Sequence, residues 1–382
     1  MNLETLMKKA VDAMNARDFE AAEHYASTVL KTEPDNPNTH ILLGNILLRK
    51  NSPEAAIQSY MRSLEIRPDS AEAHNNIGVA YRQMGDLPRG MDALRVAHRL
   101  SPDRPDICYN LANFLKQAGD VDEARSWYER AIELNPEFVL AYNNLGNLVE
   151  QSGQHEEAAR LYSKGLEADS GHPSLHYNLG VSLESAGDNE RAAAEYSKAL
   201  KVRPNWTEGL NNLGITLQKI GRAEESLRAF ETILHNDPGN ARAQNNLAML
   251  LTDQGDHDRA MKLLKGALEA DPGYAKAAQN LGRLYDETGD YSGAEAHLSA
   301  LLEQDPSDEQ TRYQYACVLI HTRRLKEASR QLRQIFKSNP NHVDALIAMG
   351  NILIRGGKPD KALPYLNRAE KISPDQPTCR IF

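Results

Sequence analysis

The run Tyr142-Asn143-Asn144-Leu145-Gly146-Asn147 returns along the chain at a fixed interval of 34 residues. It comes back as Asn75-Asn76-Ile77-Gly78, Tyr109-Asn110-Leu111-Ala112, Tyr177-Asn178-Leu179-Gly180, Asn211-Asn212-Leu213-Gly214, Asn245-Asn246-Leu247-Ala248 and Gln279-Asn280-Leu281-Gly282. A proline column keeps the same register at Pro34, Pro68, Pro102, Pro136, Pro204, Pro238, Pro272, Pro306, Pro340 and Pro374, and only Ser170 interrupts it. A unit this short cannot close a core of its own, so each copy must bury its apolar face on the next. With the proline near the end of each unit, the grid gives eleven repeats: 3–36, 37–70, 71–104, 105–138, 139–172, 173–206, 207–240, 241–274, 275–308, 309–342 and 343–376. Residues 377–382 remain as the start of a further helix or a C-terminal stub. The unbroken register makes 3–376 a single array rather than the two or three globular domains that 382 residues would otherwise suggest.

One repeat read by its chemistry predicts a helical hairpin. Pro105 suits the first turn of a helix, where its missing N–H costs nothing. Tyr109, Leu111, Ala112 and Leu115 then recur at helical spacing, and Gly119-Asp120 supplies a turn. Ala124, Tyr128, Ala131 and Ile132 share one face of a second helix, which Asn135-Pro136 stops. Gly85, Gly119, Gly153, Gly187, Gly221, Gly255, Gly289 and Gly357 mark the same inter-helix turn. Ala22, Ala56, Ala124, Ala158, Ala192, Ala260, Ala294, Ala328 and Ala362 mark a close contact, with Gly90 and Ser226 replacing it in two repeats. Where Ser170-Gly171 displaces the end proline, a looser joint is expected. Lys9 and Ala13 stand at positions that are apolar in other repeats, as fits a terminal helix with one wet side.

Composition narrows the function classes. A formal charge of -9 argues against nucleic acid, whose phosphates call for a basic stripe. No apolar run reaches the length of a membrane span. Met1 to Lys9 has no apolar core and merges into the first repeat, which predicts no secretory leader. Cys108, Cys317 and Cys379 are far apart and form no CxxC pair, so a reducing compartment is expected, with the cytoplasm as the default.

These columns together resemble the tetratricopeptide repeat superfamily over essentially the full length. The resemblance rests on the small residue after Leu or Ile, the Gly turn, the Ala column, the Tyr60, Tyr128, Tyr162, Tyr196 and Phe230 column, and the prolines. It implies an all-α fold: an α-solenoid in which eleven helix-turn-helix repeats form a right-handed superhelix. It also implies a concave face lined by the first helix of each hairpin.

On that face Asn76, Asn110, Asn144, Asn178, Asn212, Asn246 and Asn280 hold one position in seven successive repeats. A carboxamide both donates and accepts, so a ladder of them could hold the backbone of an extended peptide without reading its side chains. Asn113 and Asn147 one turn on, and Tyr109 and Tyr177 just before a rung, complete the candidate peptide-binding set. Asn143, Asn211 and Asn245 also precede rungs, and Arg82, Lys116, Glu150, Glu184, Lys219, Arg283 and Glu287 lie further along, with both charge signs present. The ladder resembles the asparagine-lined groove of O-linked N-acetylglucosamine transferase, without that family's catalytic domain. The competing reading makes the rungs scaffold residues that serve the array itself.

Other sites are weaker. A family clamp for C-terminal carboxylates needs bases where this chain has Glu72, Asp106 and Asn144; Arg242 and Lys276 pair with Asn246 and Asn280 instead. His172 and His176 are spaced for a shared helix face, but His40, His74 and His176 fall on one repeat position, which favours packing over metal. Asp86, Asp120, Asp188, Asp256 and Asp290 recur at the turns as helix caps. No phosphate loop, nucleophile elbow or HExxH occurs, so no catalytic residue, metal or cofactor is expected. Cys379 to Phe382 formally fits a prenylation box, but no basic run precedes it and a helix start is the favoured reading. The expectation is therefore a non-enzymatic scaffold for a protein or peptide ligand, with no nucleic-acid or membrane partner. The alternatives are the recruiting segment of a larger enzyme, glycosyltransferase-like or signalling, and a homo-oligomer formed through an uncovered C-terminal repeat.

Overall fold

A computed structural model describes residues 2–373, apart from the side chains of Asp286 and Gln304. Residue Pro374 and the segment 377–382, including Cys379, lie outside the described residues. The chain divides at Pro204/Asn205 into two compact units. The N-terminal unit holds six hairpins: α1 Leu3–Asn15 with α2 Phe19–Thr32, α3 Pro37–Arg49 with α4 Pro53–Ile66, and α5 Ala71–Gln83 with α6 Leu87–Leu100. They are followed by α7 Pro105–Ala118 with α8 Val121–Leu134, α9 Val139–Gln151 with α10 His155–Ala168, and α11 Pro173–Ser185 with α12 Asn189–Val202. The C-terminal unit holds five: α13 Thr207–Lys219 with α14 Ala223–Asn236, α15 Ala241–Asp253 with α16 His257–Ala270, and α17 Ala275–Thr288 with α18 Tyr291–Gln304. The last two are α19 Glu309–His321 with α20 Leu325–Ser338 and α21 Val343–Arg355 with α22 Pro359–Ile372. Among the described residues there is no strand, and each unit is a stack of antiparallel helix pairs, an all-α solenoid.

Backbone and packing chemistry explain the columns. The eight turn glycines all take positive φ, from 68° at Gly289 to 92° at Gly119. An L side chain pays roughly 1–2 kcal/mol for that conformation; Arg17, Asn51 and Arg323 adopt it at φ 61–62° in the repeats that lack glycine. Asp86, Asp188, Asp256 and Asp290 accept from the backbone N–H three residues on, as capping requires, whereas Asp120 makes no such bond.

Inside a hairpin, an aromatic ring from the second helix lies against a glycine of the first. A Cβ on Gly180 would stand 2.7 Å from Tyr196, and one on Gly214 would stand 2.6 Å from Phe230. The Ala column is fully enclosed in the same seam, as at Ala124, Ala158 and Ala192, each 0% exposed. Gly90 leaves room for Phe114 of the next hairpin, whose Cζ lies 2.5 Å from the site of a Cβ. Ser226 donates to the Gly214 carbonyl at 2.7 Å.

The joint between α10 and α11 is not loose. The two helices pack extensively, and Gly165 brings them together so closely that a Cβ there would sit 2.8 Å from Leu175. His176 adds a bond to the Ser170 carbonyl at 2.9 Å and another to Glu195 at 2.6 Å. Loss of the proline is thus offset by a small residue at the contact and a bonded histidine beside it.

Within each unit, consecutive first helices touch directly, as in α3–α5, α5–α7 and α9–α11, or α13–α15 and α19–α21. Second helices reach the next hairpin through its first helix, as in α4–α5 and α14–α15. The first helices therefore line the inner side of each stack.

Candidate polypeptide-binding face

All seven rung asparagines sit half-buried on first helices. In the N-terminal unit they form a chain of amides. Asn76 Nδ2 donates to Asn45 Oδ1 at 2.9 Å, and Asn110 Nδ2 donates to Asn75 Oδ1 at 2.8 Å. Asn144 Nδ2 donates twice, to Tyr109 Oη and to Asn113 Oδ1, each at 2.9 Å. Asn178 Nδ2 also donates twice, to Asn143 Oδ1 at 2.9 Å and to Asn147 Oδ1 at 3.1 Å. In the C-terminal unit Asn246 donates to Asn211 and Asn280 to Asn245, both at 2.8 Å.

The sequence spacing shows the rule. A rung bonds the residues 31 or 35 positions before it, one repeat back with a shift of less than one turn. Asn113 and Asn147 are consequently acceptors for the next rung, and each also accepts a phenol from its own second helix, Tyr128 and Tyr162, at 2.7 Å. Asn45 and Tyr60 repeat the arrangement at 2.8 Å. Burial pushes the Tyr60, Tyr128 and Tyr162 phenols well above their usual range, so they stay neutral donors.

This bonding narrows what the ladder offers a ligand. Both N–H groups of Asn144 and Asn178 are used inside the array, so neither rung has a free donor for a peptide carbonyl. Oxygens remain: Oδ1 of Asn110, Asn178 and Asn280 accepts no bond among the described residues. Asn45 and Asn75 as rung partners, and the phenols as donors, were not singled out in the sequence; their positions on the 34-residue grid were the available signal.

The neighbouring side chains are mixed. Tyr109 and Tyr177 lean on Tyr128 and Tyr196, with ring centroids 5.9 and 5.7 Å apart. Glu150 is held by His155 at 2.7 Å and Ser182 at 2.5 Å, and Glu184 accepts from Tyr196 at 2.9 Å. Those two carboxylates are therefore turned into the array. Arg283 pairs with Glu287 at 3.2 Å. Where Asn113 and Asn147 have apolar counterparts, Val79, Val181, Ile215 and Met249 are half-buried. His172 caps α11 by accepting from Leu175, and both ring nitrogens of His176 are bonded. No group of three or more His, Cys, Asp and Glu able to hold a metal occurs among the described residues. No helix among them is long and apolar enough to cross a membrane.

Comparison with known proteins addresses the fold. A family model described as tetratricopeptide repeat matches residues 109–173, 152–207, 211–275 and 313–377. A second of that description matches 251–320, and one described as TPR repeat matches 44–85. The chain is 26% identical over 85 residues to superkiller complex protein 3 of Homo sapiens, covering 22% of this chain and 5% of that protein. It is 27% identical over 92 residues to tetratricopeptide repeat protein 37 of Xenopus laevis, covering 22% of this chain and 6% of that one. It therefore spans a small fraction of either relative's length. The C-terminal part of a TPR repeat-containing protein from Cytophaga hutchinsonii superposes with a TM-score of 0.53 at 17% identity, a likeness of fold that covers 62% of this chain and 98% of that one. With a repeat model matching more than half of its residues, and helical hairpins throughout both units, the chain belongs to the tetratricopeptide repeat superfamily.

Proposed function

We propose that the chain is a non-enzymatic scaffold that holds extended or disordered polypeptide along the inner face of its stacks. Tetratricopeptide repeat proteins generally serve as protein-interaction scaffolds, which supplies the class. The observation that carries the finer reading is the set of half-buried rung oxygens at Asn110, Asn178 and Asn280 that accept nothing among the described residues. They suit the N–H groups of a ligand backbone. The donors of these three rungs are used in joining repeat to repeat, so each would serve two purposes: Nδ2 fixes the stacking and Oδ1 is left for a ligand, whereas Oδ1 of Asn76, Asn144, Asn212 and Asn246 accepts from the preceding asparagine. Each bond to a peptide N–H would contribute about 0.5–1.5 kcal/mol net, partly offset by ordering the ligand. The result is sequence-tolerant capture of modest strength.

Fluorescence polarisation with disordered peptides tests this, using wild type and an Asn110→Ala/Asn178→Ala/Asn280→Ala variant whose helicity is checked by circular dichroism. Affinity should fall by roughly tenfold or more. A folded variant that binds as tightly as wild type would discard the rungs as ligand contacts.

A further inference from the structure

The ninth hairpin, α17 with α18, breaks the packing rule of the others. Its two helices make sparse contact with each other, while α17 stays packed on α15 and α16 and α18 stays packed on α19. A Cβ on Gly282 would meet nothing within 4 Å, whereas the corresponding glycines meet Tyr196 at 2.7 Å and Phe230 at 2.6 Å. The ring column here holds Leu298. Leucine alone does not open a hairpin, because Leu94 still lies 2.7 Å from the site of a Cβ on Gly78. The difference from that hairpin is burial of the ring in the next column: Tyr285 is 2% exposed, whereas Tyr81 of α5 is half-buried with Arg89 over its ring, and Leu115, Leu183, Leu217 and Leu251 stand in this column in other hairpins. The Tyr285 hydroxyl donates across the hairpin to the Gly293 carbonyl of α18 at 3.4 Å.

The gap is a cavity of about 80 Å³, walled by Leu281, Gly282, Tyr285, His297, Leu298 and Cys317 among others. Its wall is mainly apolar, but His297 Nε2 is buried with no hydrogen-bond partner among the described residues. Cys317 and His321 also line a wider hollow of about 270 Å³ between α19 and α21, together with Ile347, Ala348 and Asn351. Cys317 and His321 of the first helix α19 thus border both the cavity and the wider hollow.

We propose that this cavity is a socket for a phenol or phenyl ring, presented as a Tyr or Phe side chain of a polypeptide lying along the inner face. The chain itself supplies the template. In α3/α4, α9/α10, α11/α12 and α13/α14 a ring packed on the first-helix glycine fills this space, and its hydroxyl, where present, finds a polar partner, as Tyr162 does with Asn147 at 2.7 Å. At the ninth hairpin the glycine remains and the ring is missing; Arg283 replaces the asparagine, and the unpartnered polar atom on the cavity wall is His297 Nε2 of α18. A ring from outside would bury its faces on Leu281, Leu298 and Gly282, and a phenol could donate to His297 Nε2. The proposal rests on the inner-face reading for the source of the ring and adds to it an aromatic preference in an otherwise tolerant groove.

The test is a titration of the intact protein with p-cresol, followed by ligand-detected NMR, for wild type, Leu298→Tyr and Gly282→Leu. The two variants fill the space from opposite walls, so at least one readout survives if either misfolds. Saturable binding to wild type that weakens roughly tenfold or more in the filled variants is expected. Absent binding, or equal binding in all three proteins, would overturn the socket. A Gly-Ser peptide with one central Tyr should then outbind its Ala counterpart on wild type and lose that advantage on Leu298→Tyr. Equal capture of the two peptides by wild type would also overturn it. Failure of both peptides while p-cresol still binds removes the groove reading and keeps the ring site; peptide capture without p-cresol binding does the reverse.

Discussion

The fifth and ninth hairpins start from the same plan and end differently. In α9/α10 the Tyr162 ring covers Gly146, and its hydroxyl bonds Asn147, which also accepts from Asn178 of the next repeat. One aromatic residue thus closes the hairpin, satisfies an amide and ties that amide to the following rung. In α17/α18 the ring position is Leu298, Tyr285 bonds across the hairpin to the Gly293 carbonyl, and the position of Asn147 is held by Arg283, which turns to Glu287. In α9/α10 one side chain serves both packing and relay, so a change in that core reaches the inner face; in α13/α14 Phe230 packs on Gly214 with no hydroxyl to pass on, and the two are separate.

The largest effect expected from breaking this comparison is at Gly146. A Cβ there would stand 2.8 Å from Tyr162 Cζ, so Gly146→Ala should cost about 1–3 kcal/mol in urea unfolding, with hydrogen exchange accelerated in α9 and α10. Ala112 opposite Tyr128 shows that a hairpin set for alanine exists, which keeps the cost in that range. Gly282→Ala should be neutral, or stabilising by up to about 1 kcal/mol through helix propensity. Equal losses at the two glycines would mean that the ninth hairpin is closed.

Leu298→Tyr sharpens the comparison from the other side. A cavity of 80 Å³, at about 24 cal/mol per Å³, corresponds to about 2 kcal/mol, the upper bound on what a filling ring recovers. A raised urea midpoint is the expected outcome; a lowered one would show that Tyr285 leaves no room for a second ring.

The smallest effect is on pH dependence. Burial, then the neighbouring Lys265, lowers the His297 pKa from 6.5, with Glu269 opposing. A folded-state pKa below the unfolded value means that the unfolded chain takes the proton first. Stability should therefore be complete above pH 6.5 and decline as pH falls through and below it. His297→Gln should flatten that decline in the C-terminal unit. An identical pH profile in the variant would remove His297 as its source.

Much of this was readable from residue order. The turn glycines had to be where they are because only φ above zero links the two helices, and Arg323 and Arg17 show the cost being met where glycine is absent. The Ala column and the 34-residue register required close-packed pairs stacked on pairs. The rungs were visible as a column, but their partners were not. Whether Asn144 faces a ligand or reaches Tyr109 and Asn113 depends on how far one hairpin rotates against the next, and no single repeat encodes that angle. The joint at Ser170 misled for the same reason: the missing proline is local, whereas Gly165 and His176 act across the interface.

By itself, the sequence determined a repeating helical hairpin and the tetratricopeptide repeat family, because both follow from periodicity and from backbone conformations that only certain residues tolerate. Tertiary structure alone decided which amide atoms are used up and which hairpin stands open. Both depend on distances between side chains a repeat apart, set by the fit of whole helices and not by any one column.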